Sequence, residues 1–136
     1  MESLKNCDVI MHIELIELIS GGNQEFEVLF LTKDQEKYKL VFDFVWDMRY
    51  SIENASIERF CRFRERLPEG IIDNGIYRVE DSEYIKYFEK QVDGTMPINE
   101  LKHYIISDGT DTILDVLTTK EPKLVGIDTQ GDGSPV

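Results

Sequence analysis

Residues 37–67, KYKLVFDFVWDMRYSIENASIERFCRFRERL, change their hydrophobic pattern partway along. Over residues 37–47 apolar and polar side chains alternate, which is typical of a half-buried strand. The apolar positions of this alternation are Tyr38, Leu40, Phe42, Phe44 and Trp46. We therefore predict one strand over residues 37–47, with these side chains facing a core.

The second half of the stretch has the period of a helix. Its helical face consists of Ile52, Ser56, Phe60, Phe63 and Leu67. Residues spaced in this way share one side of an α-helix. Tyr50 or Ser51 is predicted to begin this helix, and Pro68-Glu69-Gly70 to end it.

Two further strands are predicted before this stretch, over residues 9–19 and 25–32. The loops that separate the three strands are short and polar, and a parallel crossover needs a dozen residues or more. We therefore expect an antiparallel meander.

After the stretch, residues 76–80 predict a short strand and residues 82–91 a second helix. Asp81 or Ser82 caps that helix, and Tyr84, Ile85 and Phe88 are expected to face inward. Residues 103–107 and 112–119 flank Asp108-Gly109-Thr110-Asp111 as a hairpin, and residues 123–127 add an edge strand. The predicted fold class is α+β: an antiparallel sheet, built from a meander and a C-terminal hairpin, with two helices packed on one face. Residues 1–127 would form this single domain, and residues 128–136 a flexible tail.

The charge of the chain narrows the classes of partner. The formal net charge is -12, so nucleic acid and anionic membranes are expected to be repelled. A basic protein is the favoured partner, because opposite fields accelerate encounter. The carboxylates expected to contact it lie at strand ends and turns: Glu80, Asp81, Glu83, Asp108 and Asp111. The sequence also leaves open whether the chain forms a homodimer.

Arginines are concentrated in the predicted first helix and the strand before it. A helical projection places Arg59, Arg62 and Arg66 on one stripe beside the apolar face. Such a stripe is a secondary docking candidate, since its guanidinium groups could bind carboxylate or phosphate. The favoured interpretation is internal pairing, because Glu58 precedes Arg62 by four residues.

No pattern for catalysis, metal binding or a cofactor is present in the sequence. His12 and His103 have no neighbour at metal-ligand spacing, and Cys7 and Cys61 are far apart. Asp43, Asp47 and Arg49 alternate along the predicted third strand on the side opposite its aromatic residues. They support a less favoured hypothesis, a small enzyme or ligand-binding domain that uses this sheet face. We expect no catalytic residue, no metal and no cofactor.

Two segments carry a resemblance to a known class of proteins. The junction VWDMRYSIENA (residues 45–55) and the late hairpin KHYIISDGTDTILDVLT (residues 102–118), with the length and acidity of the chain, resemble small bacterial immunity proteins of polymorphic toxin systems. The resemblance implies a non-enzymatic inhibitor that binds a toxin domain, and it assigns no role to any single residue. The alternative is an acidic DNA mimic or effector-blocking protein of phage or mobile-element origin. The first residues lack a basic start and an apolar signal core, so we expect a cytoplasmic protein.

Overall fold

A computed structural model describes residues 3–6, 12–22, 25–52, 75–92, 100–108 and 112–127. The strands in this part of the chain are β1 (Ser3–Asn6), β2 (Ile13–Gly22), β3 (Glu25–Thr32), β4 (Lys37–Phe42), β5 (Val45–Ile52), β6 (Ile76–Glu80), β7 (Lys102–Ser107), β8 (Thr112–Thr118) and β9 (Lys123–Ile127). The helix among the described residues is α1 (Glu83–Val92). No helix of the described residues has the length and apolar content needed to cross a membrane.

The predicted meander is confirmed as an antiparallel sheet. Four strands are ordered β2-β3-β4-β9, so residues 123–127 form the predicted edge strand. The turn between β3 and β4 is tight: the Gln35 N–H donates to the Thr32 carbonyl oxygen at 3.0 Å, and the Thr32 N–H donates to Glu36 at 2.8 Å. Gln35 has a φ of 68°, the left-handed conformation that closes three-residue hairpin loops.

The predicted third strand is wrong in its extent, because the chain leaves one sheet and enters another within it. β4 ends at Phe42 and β5 begins at Val45, in a second sheet. The crossing is held by Thr118 Oγ1, which donates a hydrogen bond to the Phe44 carbonyl oxygen. A β-bulge follows, since Val45 lies opposite Thr118 and Asp47 opposite its neighbour Leu117. Alternation in the sequence continued through this break, and so it concealed the change of sheet.

Within the described residues, the second sheet has five antiparallel strands in the order β1-β6-β7-β8-β5. The predicted hairpin is confirmed, with Ser107 paired to Ile113 and Lys102 to Thr118 across β7 and β8. The predicted strand over residues 76–80 is confirmed as β6. Its neighbour β1 was not predicted; Leu4 of that strand lies opposite Val79.

The main core lies between the two sheets. Its buried residues come from both: Val28, Phe30, Leu40 and Phe42 from the four-stranded sheet, and Tyr104, Ile106, Leu114 and Val116 from the five-stranded sheet. The inward direction predicted for Leu40 and Phe42 is therefore confirmed. A second buried cluster, Leu4, Tyr77, Val79, Ile105 and Ile113, lies on the opposite, outer face of the five-stranded sheet.

Asp108 links the two sheets directly. This carboxylate is 4% exposed and accepts hydrogen bonds from two backbone N–H groups, Ile16 of β2 and Thr112 of β8, both at 2.9 Å. A buried backbone donor needs a partner, and a carboxylate can satisfy two of them at once. Asp108 therefore ends the β7–β8 hairpin and attaches it to the edge of the other sheet.

The fold class predicted from the sequence is wrong. In the described part of the chain, two antiparallel sheets pack face to face and one short helix lies on the outer face of the five-stranded sheet, in place of one sheet with two helices. The predicted second helix is confirmed as α1, with Tyr84 buried and Ile85 and Phe88 half-buried. The predicted start of the first helix is wrong, because Tyr50 and Ser51 belong to β5.

Most of the predicted first helix lies outside the described residues, which end at Ile52 and resume at Gly75. The helical face predicted for Phe60 and Phe63 therefore stays a prediction. The predicted tail, residues 128–136, also lies outside the described part.

Candidate functional site

Three side chains with the chemistry of an acyl-transfer triad form a chain of hydrogen bonds beneath α1. The Ser82 hydroxyl lies 2.7 Å from His103 Nδ1, and His103 Nε2 lies 2.6 Å from Asp115 Oδ1. Strand pairing explains their proximity: His103 and Asp115 lie on the paired strands β7 and β8 and point to the same outer face, and Ser82 precedes the helix that lies over it.

The three side chains of this triad are buried and hydrogen-bonded within the protein. Ser82, His103 and Asp115 are 4%, 0% and 1% exposed. The Ser82 oxygen also accepts the Ile85 backbone N–H at 3.0 Å, which is the bond of a helix N-cap. A nucleophile must reach its substrate, and a general base must be within hydrogen-bond distance of the proton it takes. In this conformation the triad instead fixes the start of α1 against β7.

A second group of side chains continues this network toward the surface. The Tyr84 hydroxyl donates to Asp47 Oδ2 at 2.7 Å, and the Tyr84 ring meets the His103 ring edge to face, with centroids 5.2 Å apart. The Arg49 guanidinium carbon lies 3.7 Å from the centre of the Tyr84 ring, within the range of a cation–π contact. Tyr84 therefore joins the exposed charges of β5 to the buried triad.

The environment of Tyr84 favours its neutral form. Burial raises the pKa of this phenol well above its ordinary value of 10.0, and the hydrogen bond to Asp47 raises the pKa further. Both effects act because a phenolate would lose solvation and would face a carboxylate. Tyr84 is thus a hydrogen-bond donor throughout the physiological range.

The charged row predicted on the third strand is only partly correct. Asp47 and Arg49 do lie on one face of β5, opposite Leu117 and Asp115. Asp43 lies at the crossing between the sheets instead, with Lys123 Nζ at 4.0 Å. Val45 packs against the main core rather than sharing their face. The hypothesis that Asp43 and Asp47 share one face is therefore wrong.

The structure brings three of the predicted partner-binding acids together. Glu80 ends β6, Asp81 follows it, and Glu83 begins α1; we call these three residues the acidic corner. All three are exposed. Asp81 has a φ of 56°, a conformation that Asp tolerates better than most residues.

A lysine of α1 neutralises part of this corner. Lys86 Nζ lies 3.0 Å from Asp81 Oδ1 and 3.6 Å from Glu83 Oε1. The hydrogen bond to Asp81 raises the pKa of Lys86, so the ammonium stays charged. A hydrogen bond from the N-terminal ammonium and one from Lys86 lower the pKa of Asp81, so three carboxylates stand beside two cations in this corner.

Of the other predicted docking residues, the structure describes Asp108, which is not part of this corner. Asp108 lies at the opposite end of β7, and its expected exposure is wrong because both of its carboxylate oxygens bind backbone within the protein. Asp111, Arg59, Arg62 and Arg66 lie outside the described residues.

Sequence reasoning missed Ser82, His103, Asp115 and Tyr84 as a connected group. The only signal was the predicted cap at Asp81 or Ser82. Among the residues that the structure describes, no group of three His, Cys, Asp or Glu side chains could hold a metal ion. Comparisons with protein-family models, with curated proteins and with solved structures found no match to this chain.

Proposed function

We propose that this chain is a non-enzymatic protein-binding module that docks a basic protein through its acidic corner. The proposed class is an immunity-type inhibitor of a bacterial toxin domain. The observation that supports the proposal is the preorganised acidic corner. Glu80, Asp81 and Glu83 are exposed together, and the buried Ser82 fixes the backbone between them.

The rigidity of the corner comes from the residue in its middle. Ser82 is buried, caps α1 and bonds to His103, so the backbone on both sides of it is fixed. Side chains presented from a fixed backbone lose less entropy on binding than those of a mobile loop. The net charge of -12 adds long-range attraction, which mainly accelerates association with a basic protein.

The test is a kinetic one. A tagged chain captures its partner from the cells that encode it, and association rates are then measured from about 50 to 500 mM salt, across which charge screening rises strongly. Glu80→Lys and Glu83→Lys should each lower the association rate, and salt should lower it for the unmodified chain. Glu36→Lys changes the net charge equally from the exposed β3–β4 turn, and it should have a smaller effect.

Three outcomes would contradict the proposal. The captured partner could be acidic, its association rate could be independent of salt, or Glu36→Lys could slow association as much as the substitutions in the corner. Each of these outcomes would mean that the charges of the acidic corner do not direct partner binding.

A second candidate function is the binding of a small anionic ligand at Arg49. The observation that favours it is the exposed guanidinium stacked on Tyr84 beside Asp47. A planar guanidinium held in this way presents forked donors to a carboxylate or phosphate. Calorimetric titration with inorganic phosphate and acetate, repeated on Arg49→Gln, tests it; equal heats for the two proteins would exclude it.

A further inference from the structure

The four-stranded sheet turns one of its faces away from the core, and that face carries large apolar side chains beside charged ones. Its apolar side chains include Leu15, Leu18, Leu29, Leu31, Val41 and Val125. Leu15, Leu18 and Val125 are 38%, 55% and 43% exposed. Exposed large apolar side chains grouped on one face are typical of an interaction surface.

The charges on this face nearly cancel. Its charged side chains are the four glutamates Glu14, Glu17, Glu25 and Glu27 and the three lysines Lys37, Lys39 and Lys123. Lys37 Nζ lies 3.6 Å from Glu17 Oε1, Lys39 Nζ lies 3.4 Å from Glu27 Oε1, and Lys123 Nζ lies 4.0 Å from Asp43 Oδ2 at the crossing between the sheets. We call this surface the neutral face, because its net charge is small whereas the chain as a whole carries a net charge of -12.

We propose that the neutral face is the contact between two copies of this chain. Two molecules that each carry a net charge of -12 repel one another through most of their surface. The neutral face lets their sheets approach with few uncompensated like charges against each other. A strongly basic partner, by contrast, would gain little from a face whose charges nearly cancel, and it would be drawn to the acidic corner.

The composition of the neutral face suits a two-fold contact. In such a contact the same patch serves both subunits, so the patch must be complementary to itself. Neighbouring lysines and glutamates meet this condition, because Lys37 and Lys39 can each exchange the paired glutamate for that of the second copy. Apolar residues between them would pack as the facing layers of a sandwich, about 10 Å apart.

The area of the neutral face limits the expected affinity of the dimer. Four strands spaced about 4.8 Å apart and roughly seven residues long cover a projected area on the order of 400–500 Å². The accessible surface of such a face exceeds its projection, but it does not greatly exceed the ~800 Å² per partner of a standard stable interface. We therefore expect a reversible dimer that dissociates on dilution.

Sedimentation velocity of the full chain over a range of concentrations tests the proposal. The unmodified chain, of 15.8 kDa, should move from monomer to a species of twice that mass as concentration rises. Raising the salt should strengthen this dimer, because salt screens the repulsion between the acidic remainders of the two copies. The same change weakens binding of a basic partner at the acidic corner, so the two interactions respond in opposite directions.

Matched substitutions locate the contact. Leu18→Lys and Val125→Lys, at opposite edges of the neutral face, should each raise the dimer dissociation constant at least tenfold. Tyr87→Lys is the control, since Tyr87 is 61% exposed on α1 and receives the same new charge. Circular dichroism confirms that each variant is folded. A chain that stays monomeric at every concentration overturns the proposal, as does a dimer that Leu18→Lys and Val125→Lys leave intact or that Tyr87→Lys weakens equally.

Discussion

Replacing Ser82 by alanine tests whether the buried triad is a structural device. The substitution removes the hydroxyl that caps α1 and that bonds to His103. Loss of an N-cap costs about 0.5–2 kcal/mol, and a buried ring nitrogen left without its partner costs about 1–3 kcal/mol. Since Ser82 and His103 are 4% and 0% exposed, water does not replace the lost bond. We expect the free energy of unfolding to fall by about 2–4 kcal/mol.

Urea denaturation followed by circular dichroism measures this loss. A slope of about 1–3 kcal/mol per molar urea converts it to a lower midpoint, by on the order of 1–2 M. Ser82→Gly separates the two contributions, because glycine retains most of the capping preference but makes no bond to His103. Ser3→Ala is the control, since Ser3 is exposed on β1 and should change stability by less than about 0.5 kcal/mol.

Two results would refute the reasoning. A loss below about 1 kcal/mol in Ser82→Ala would mean that the bond to His103 contributes little. Full recovery of stability in Ser82→Gly would mean that the helix cap accounts for the whole effect.

Three further predictions concern other single residues. Asp108→Ala should lower the free energy of unfolding, measured by urea denaturation, by about 2–4 kcal/mol, because it leaves two backbone N–H groups without their acceptor. An effect below about 1 kcal/mol would contradict the role of Asp108 as a link between the sheets. Gln35→Gly should raise the melting temperature by a few degrees, since relief of the left-handed conformation at φ 68° is worth up to about 1 kcal/mol, whereas Asp34→Gly in the same turn should lower it. The free energy of unfolding should fall as the pH rises above 10, because the raised pKa of Tyr84 keeps this side chain protonated in the folded state while the unfolded chain loses the proton. Tyr84→Phe should reduce this loss of stability at alkaline pH. An unchanged pH profile in Tyr84→Phe would contradict the prediction.

Local sequence patterns predicted most of the strands and the helix. Strict alternation identified β3 and the inward direction of Leu40 and Phe42, because the side-chain period of a strand is two wherever one face is buried. The turn residues between β7 and β8 identified their hairpin, and a cap at Asp81 or Ser82 marked the start of α1. Composition also determined the acidity of the chain, which depends on no structure.

Only the tertiary structure decided how the strands are divided between sheets and what the polar residues do. The alternation in residues 37–47 gave no indication of the crossing after Phe42, since a chain that changes sheets can keep the same pattern on both sides of the break. Ser82, His103 and Asp115 came together through the pairing of β7 with β8 and the position of α1. Contacts of this kind join residues that are distant in the chain, and local periodicity contains no information about them. For the same reason the sequence predicted Asp108 as an exposed acid, whereas the packing of two sheets made it the buried acceptor that joins them.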